Sequence, residues 1–328
     1  MPGWVSVQGE KRLSATVLVM TPIRLSRPHR ELIYMVEGQQ GLLRVSHSRR
    51  SRLLEAQSNA NIDIRHAKIG RARIRYAVKA GIGEPLLLCN GIGANLELTL
   101  PLLKCLECPV VVLDVPGTGG SDSSLFWPSL RRYSRFAVRV LDHAGYTGRF
   151  ALAGVSWGGG LAQQIAKLEK ERVSHLILMA TSPGIIMLPG RFGAILKMAT
   201  PRRYLSRGYM AQNASVIYGG ELRNSPHKAV EHARLVMPPT GLAYVQQLLA
   251  MWGFTSLPWL NKLNCPALII CGDDDPLIHP GNGRILACLI PSAELYVMRG
   301  AGHLFMTMQA EKTAELINQH ITHDLPIE

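Results

Sequence analysis

Long hydrophobic runs are missing from this sequence of 328 residues. The strongest apolar runs, such as 86–89, 110–113 and 267–271, have the length of buried strands. A membrane-spanning helix needs roughly 18 uninterrupted apolar residues. We therefore expect no transmembrane segment. Hydrophobic residues nevertheless make up 47% of the chain, which is enough to build a full core.

Cysteine is scarce as well, with six residues in the whole chain. Most of them lie inside or beside apolar runs, as buried thiols do, so a disulfide framework is not expected. Cys105 and Cys108 form a CxxC pair, but no second pair accompanies it. We assign this pair no redox or metal-binding role.

Aromatic residues are few, at 6%, and 23 acidic residues face 36 lysines and arginines. The resulting net charge of +13 favours an anionic partner surface, such as nucleic acid, phospholipid or an acidic polymer granule. Nucleic-acid-binding modules usually interleave basic residues with exposed aromatic residues, which this chain has little of. We therefore expect no nucleic-acid partner, and solvated basic faces are the simplest explanation of the charge.

The N-terminal part of the chain differs from the rest. The first 60 residues contain nine basic and four acidic residues without a helical or strand period. The apolar run 15–20 is too short for a signal peptide and has no small-residue cleavage site after it. We predict that residues 1–58 form a basic, partly disordered extension and carry no secretion signal.

Short apolar runs alternate with amphipathic stretches over most of the remaining sequence. Residues 62–66 and 72–78 alternate polar and apolar side chains, which is typical of a half-exposed hairpin. The later runs are continuous in Val, Ile and Leu, which is typical of buried parallel strands. Those predicted strands are 85–89, 110–113, 150–154, 175–180, 267–271 and 294–298. This alternation predicts an α/β fold with a mostly parallel central sheet.

The alternation stops between residues 183 and 260, where the sequence is rich in methionine, aromatic residues and proline. Seven prolines divide this stretch into short predicted helices and turns. We predict that residues 59–182 and 261–328 form the α/β core and that residues 183–260 form an inserted helical cap.

A candidate nucleophile lies between a predicted strand and a predicted helix. Residues 154–158 read Gly-Val-Ser-Trp-Gly, which matches the G-x-S-x-G pattern of a strained strand-to-helix turn that exposes a serine. The two glycines allow close backbone approach around Ser156. This context favours a catalytic serine over an ordinary turn serine.

A serine nucleophile needs a base, and the base needs a carboxylate; the expected chain order is serine, acid, histidine. Asp275 follows the strand 267–271 and is our predicted acid, with Asp273 and Asp274 interpreted as a turn cap and a solvated neighbour. A metal site is the alternative for three successive aspartates, but adjacent carboxylates converge poorly on one ion. His303, in a glycine-rich loop after the next strand, is the predicted base.

Acyl transfer also requires hydrogen-bond donors for the developing oxyanion. One predicted donor is the backbone N–H of Trp157, directly after the nucleophile. The glycine-rich loop at residues 90–95 is predicted to supply the other, from Ile92. A dinucleotide-binding loop is the alternative, but its third glycine is replaced by Leu96.

Several longer strings of the sequence carry more information than these short motifs. They are NGIGANLEL (90–98), DVPGTGGS (114–121), GVSWGGGLAQQIA (154–166), PRRY (201–204), IYGG (217–220), GDDDPLI (272–278) and GHLF (302–305). Together they resemble one family, the intracellular poly(3-hydroxyalkanoate) depolymerases of the medium-chain-length type, and the resemblance spans residues 60–322.

This resemblance implies an α/β-hydrolase fold with a helical cap and a serine esterase that cleaves stored polyester in the cytoplasm, at the granule surface. It implies Ser156, Asp275 and His303 as the triad and the loop 90–93 as the oxyanion loop. We expect Asn90, Gly91 and Trp252 to contact substrate. Trp252 belongs to an apolar group in the cap that lines an acyl tunnel or rests on the granule.

No metal and no cofactor is expected for this chemistry. Two alternatives stay open. One is a carboxylesterase or lactonase that uses the same residues on small lipophilic esters. The other is a catalytically silent protein that uses its basic charge to bind granules, lipid or nucleic acid, and its binding should weaken steeply with salt.

Overall fold

The computed structural model describes residues 62–123, 127–200, 202, 206–240 and 242–322, together with the backbone at 34–36 and 43–45. The two N-terminal segments, β1 (Tyr34–Val36) and β2 (Leu43–Val45), pair as antiparallel strands within a separate unit that comprises Met1–Asn59. Apart from these two strands, the predicted disorder of residues 1–58 concerns positions outside the described residues.

The second unit is built on an eight-stranded sheet with the order β10-β9-β8-β7-β5-β6-β4-β3. Its strands are β3 (Ile62–Ile69), β4 (Ala72–Lys79), β5 (Leu86–Cys89), β6 (Val110–Leu113), β7 (Phe150–Val155), β8 (Val173–Met179), β9 (Ala267–Gly272) and β10 (Ala293–Met298). The strands β3 and β4 are antiparallel, and β4 joins β6 in the same way. All other pairs are parallel, so the predicted α/β class with a mostly parallel sheet is confirmed.

Helices cover both faces of this sheet. They are α1 (Leu100–Cys105), α2 (Leu130–His143), α3 (Trp157–Leu168), α8 (Gly281–Leu289), α9 (Phe305–Met308) and α10 (Ala310–Thr322), numbered with the four helices given below. Alternate residues of the central strands point to opposite faces, which is why β5 and β6 are buried throughout. Leu87 belongs to the apolar cluster that includes α2 and α3, whereas Leu86 and Leu88 belong to the cluster that includes α1 and α10.

The segment between β8 and β9 contains four helices and no strand among its described residues. They are α4 (Phe192–Ala199), α5 (Arg207–Tyr218), α6 (Pro226–Leu235) and α7 (Ala243–Trp252). A small apolar cluster that includes Met210 and Ile217 holds α4, α5 and α6 together. Ala250 of α7 belongs instead to the larger cluster that includes α2 and α3. Across the described part of the chain, no helix has the length and apolar character needed to cross a membrane.

Candidate active site

Ser156 occupies the sharp turn between β7 and α3. Its φ of 54° lies in the left-handed region, which residues with a side chain rarely adopt and which costs about 1–3 kcal/mol. The turn is tight: a Cβ on Gly158 would lie 2.2 Å from the carbonyl oxygen of Cys89, and one on Gly154 would lie 2.2 Å from that of Gly158. The glycines of the G-x-S-x-G pattern are therefore required by backbone packing, which stabilises the strained serine.

A buried histidine–carboxylate pair lies at the same edge of the sheet. His303 Nδ1 is 2.7 Å from Asp275 Oδ2, and both side chains are almost fully buried. The other oxygen of Asp275 accepts hydrogen bonds from the backbone N–H groups of Leu277, at 2.8 Å, and Ile278, at 3.0 Å. Because a carboxylate only accepts, this pairing assigns the imidazole proton to Nδ1 and leaves Nε2 as the basic nitrogen.

The three successive aspartates have three different partners. Asp273 Oδ1 accepts from the N–H of Gly300 at 2.7 Å. Asp274 forms an ion pair with Arg223 at 2.7 Å, and this hydrogen bond is the main reason that the pKa of Asp274 is lowered. The sequence interpretation of Asp274 as a solvated neighbour was wrong, because it joins the acid loop to the segment between α5 and α6. Within the described residues, no group of three or more metal-binding side chains occurs.

The end of α5 contacts the loop that carries His303. The backbone N–H of His303 donates to the carbonyl oxygen of Tyr218 at 2.7 Å, and the two rings are nearly parallel with centroids 6.3 Å apart. A Cβ on Gly302 would lie 2.2 Å from that same carbonyl oxygen. The IYGG string thus forms the contact between the helical segment and the histidine loop.

Ser156 and His303 line one cavity of about 50 Å³ under α5 and α6. No hydrogen bond joins their side chains among the contacts of the described residues, as is common in free enzymes before substrate closes the site. The cavity is mainly apolar and is lined by Asn90, Gly91, Ile92, Ala94, Leu98, Val155, Ser156, Met198, Met210, Tyr218, His232, Val236, His303, Leu304, Met306 and Thr307.

The predicted oxyanion loop borders this cavity through Asn90, Gly91 and Ile92. The N–H of Ala94 donates to the carbonyl oxygen of Gly91 at 3.1 Å, and Gly93 has a φ of 63°, as in a type II turn. The side chain of Asn90 is bonded within the loop, since its Oδ1 accepts from Gly91 at 2.8 Å and its Nδ2 donates to the carbonyl oxygen of Asn95 at 3.0 Å. Asn90 thus stabilises the loop, a role that the sequence prediction of substrate contact did not include.

Trp157, the other predicted oxyanion residue, is the first residue of α3. The first N–H groups of a helix have no acceptor within the helix, so its amide is available to a ligand at this end. The indole ring is buried, and its Nε1 donates to the carbonyl oxygen of Gln247 in α7 at 2.9 Å.

Trp252 lies away from this cavity. It ends α7, its side chain is 71% exposed, and it is not among the residues that line the cavity. The tunnel interpretation of Trp252 was therefore wrong. The cap residues that do line the cavity include Met198, Met210, Tyr218 and His232.

A buried ionic network is hydrogen-bonded to the C-terminal end of the oxyanion loop. Arg75 of β4 pairs with Glu97 at 2.6 Å and with Asp114 at 3.1 Å. Burial raises the pKa of Asp114 to about 6, and its Oδ1 accepts from the N–H of Leu96 at 2.7 Å. Asn95 Nδ2 donates to Glu97 at 2.7 Å, which connects the network to the loop.

The fold and the site geometry have counterparts among known proteins. A family model described as the alpha/beta hydrolase fold matches residues 84–307. This chain belongs to the α/β-hydrolase family. The poly(3-hydroxyalkanoate) depolymerase of Ectopseudomonas oleovorans is 40% identical to this hydrolase over 264 residues, which cover 79% of this chain and 93% of that protein.

More distant relatives share the scaffold. A pimeloyl-[acyl-carrier protein] methyl ester esterase of Legionella pneumophila is 25% identical over 71% of this chain and 96% of its own length. A solved esterase of Thermogutta terrifontis superposes with a TM-score of 0.66 over 80% of this chain and 98% of its own, at 24% identity. The expected family is confirmed, and the hydrolase is an ester hydrolase similar to the poly(3-hydroxyalkanoate) depolymerases.

Proposed function

We propose that this hydrolase cleaves the ester bonds of poly(3-hydroxyalkanoate) with medium-length side chains through a covalent acyl-enzyme. The observation that supports this most is the buried His303–Asp275 pair beside the strained Ser156, at one apolar cavity. The depolymerase relative supports the choice of polyester among possible esters.

The proposed reaction assigns one role to each residue. His303 Nε2 takes the proton of Ser156 as the hydroxyl oxygen attacks the ester carbonyl, and Asp275 stabilises the imidazolium that forms. The amides of Ile92 and Trp157 donate to the oxyanion. His303 then protonates the departing hydroxyl end of the polymer. In the second half of the reaction His303 takes a proton from the attacking water, and Ser156 leaves the acyl group with that proton on its oxygen.

The proposed access to a water-insoluble substrate rests on the outer side of α7. Its buried residues, Ala243, Tyr244, Gln247 and Ala250, recur at helical spacing. The opposite side is exposed and entirely apolar. This apolar face comprises Leu242, Val245, Leu248, Leu249 and Trp252. Single exposed apolar side chains are ordinary, but a contiguous stripe on one helix favours contact with a hydrophobic surface, here the polyester granule in the cytoplasm.

The cavity lining supports acceptance of a flexible alkyl group. Three methionines, Met198, Met210 and Met306, border the cavity, and their unbranched thioether side chains adapt to differently shaped partners. The cavity of about 50 Å³ has space for a few water molecules. An alkyl group of medium length therefore requires that these methionines move aside.

The test is release of soluble 3-hydroxyacids from polyester latex by the purified protein. Ser156→Ala should abolish release. The matched control is Ser134→Ala, which removes a buried hydroxyl that bonds to Leu130 within α2, away from the site. Release that survives in Ser156→Ala, or that falls equally in both variants, would exclude the proposed nucleophile.

The small cavity favours a second candidate function, hydrolysis of small lipophilic esters. A soluble p-nitrophenyl octanoate assay on the same preparation separates the two. Ser156-dependent cleavage of the soluble ester without any release from latex would support the second candidate and contradict the polyester proposal.

A further inference from the structure

One residue of α7 contacts both segments that carry the proposed oxyanion amides. Gln247 is fully buried, and its side-chain Oε1 accepts from the backbone N–H of Gly93 at 2.8 Å. Its own carbonyl oxygen accepts from the indole Nε1 of Trp157 at 2.9 Å. Gln247 therefore connects the loop 90–95 to the start of α3, although neither segment is its neighbour in sequence.

The bond to Gly93 fixes the orientation of the peptide that directly follows the proposed donor, the Ile92 N–H. Gly93 is the third residue of the turn 91–94, and its φ of 63° fits that position of a type II turn. The central peptide, between Ile92 and Gly93, is flipped by about half a turn in a type I turn. Because Gln247 Oε1 receives the Gly93 N–H, it stabilises the flip seen here, and with it the backbone at Ile92.

The hydrogen bond to the indole of Trp157 involves the residue that carries the second proposed donor amide. The indole is buried and meets the ring of Tyr133 edge-on, with centroids 5.1 Å apart. Its hydrogen bond to the main-chain carbonyl of Gln247 holds the side chain of Trp157 in place. Trp157 is also the residue whose backbone N–H is the first of α3. Both segments thus contact one buried position of α7, the loop through the side chain of Gln247 and Trp157 through its main-chain carbonyl.

We propose that the side chain of Gln247 is a positioning residue for the oxyanion hole and sets the geometry of the loop that carries the Ile92 amide. This inference rests on the proposed serine-esterase function. Oxyanion donors act mainly in the transition state, so their misplacement lowers kcat and leaves KM nearly unchanged.

The experiment compares Gln247→Met with Gln163→Met in the full chain, with p-nitrophenyl octanoate as substrate. Methionine keeps the length of glutamine and removes the acceptor. Gln163 is a matched control because it is also fully buried and hydrogen-bonded, to the carbonyl oxygens of Gly159 and Ser182, but does not contact the loop 90–95. We expect kcat to fall about 10-fold to 100-fold in Gln247→Met, with KM within about threefold.

A second readout separates positioning from general loss of structure. An alkylboronic acid adds to a catalytic serine and places a negative oxygen in the oxyanion hole, so its inhibition constant should rise in Gln247→Met by about the same factor as kcat falls. Melting temperatures of both variants show whether they are folded. If Gln247→Met does not fold, Gln247→Asn, which stays polar but is one methylene too short to reach Gly93, should give the same result.

The outcomes are distinct. Equal kcat and equal boronate inhibition in wild type and a folded Gln247 variant would overturn the inference, as would equal losses in the Gln163 control. A wild-type protein that neither cleaves the ester nor reacts at Ser156 with a fluorophosphonate would overturn the proposed function and the inference with it.

Discussion

The loops at the carboxyl edge of the sheet and the helices α4 to α7 are stabilised in different ways. The loops are fixed by short backbone contacts and buried polar pairs, such as the approach of Gly158 to Cys89 and the His303–Asp275 pair. Helices α4 to α6 share a small apolar cluster, and the helical segment as a whole leaves large apolar side chains exposed. This difference suggests that the loops determine the chemistry, while the helices determine which esters reach it.

The sharpest test of that division lies within the three aspartates of the acid loop. In Asp275→Asn the amide keeps the shape of the loop but cannot hold the Nδ1 proton of His303, so we expect kcat to fall about 10³-fold to 10⁴-fold. The side chain of Asp273 accepts a hydrogen bond from the N–H of Gly300. An asparagine can do the same, so we expect kcat of Asp273→Asn to stay within about threefold of wild type. The measurement is ester hydrolysis at neutral pH; comparable losses in both variants would contradict the assignment of the acid.

The contact between the two regions gives the next largest effect. Gly302→Ala places a Cβ 2.2 Å from the carbonyl oxygen of Tyr218, and the contacted atoms belong to backbone, which cannot rotate aside as a flexible side chain can. We expect the free energy of unfolding in urea to fall by about 1–3 kcal/mol. Gly193→Ala is the control, since a Cβ there meets nothing within 4 Å and alanine suits the interior of α4. Equal stability of the two variants would show that the contact is not tight in solution.

The apolar face of α7 should affect only insoluble substrate. Replacement of Leu249 and Trp252 together by serine removes two exposed apolar side chains, and we expect hydrolysis of polyester latex to fall about fivefold to tenfold. Cleavage of the soluble octanoyl ester should change by less than about twofold. Leu168→Ser, at the exposed end of α3, is a control for loss of a surface leucine. A parallel loss on both substrates would argue that the face has a structural role.

The features predicted from sequence and those that were missed follow the same division between the loops and the helices α4 to α7. Ser156, Asp275 and His303 lie in loops that follow apolar strands, and parallel strands bring their carboxyl ends to one edge, so local patterns sufficed to predict that these loops lie together. Gln247 was missed because its partner Gly93 is 154 positions away and only the docking of α7 brings them together. The same holds for Asn95 and the carbonyl oxygen of Leu235, which are 140 positions apart.

Buried charge was missed for a related reason. Asp114 directly follows β6 and was noted only as the first residue of the string at 114–121, whereas its partner Arg75 lies on β4. Strand order decides that pairing, because β6 lies between β5 and β4 in the sheet. A sequence pattern shows which residues are strands but carries little information on which strands are neighbours, so side-chain pairs across strands escape it.

The smallest expected effect concerns the ion pair that joins Asp274 to Arg223. Arg223 lowers the pKa of Asp274 in the folded protein below its ordinary value of 3.8. The pair therefore adds stability above that value, and the contribution disappears as pH falls through the lowered pKa. Both side chains are partly exposed, so we expect Arg223→Ala to cost less than about 1 kcal/mol at pH 7.

The measurement is the melting temperature of wild type and Arg223→Ala between pH 7 and pH 3, with Lys312→Ala as the control for a fully solvated pair, with Glu315. The difference between wild type and Arg223→Ala should shrink as the pH is lowered and as salt is added. A difference that persists unchanged at pH 3 would mean that Arg223 stabilises the junction through packing of its aliphatic stem. In that case the two regions would be joined there by apolar contact, as within α4 to α6, and not by charge.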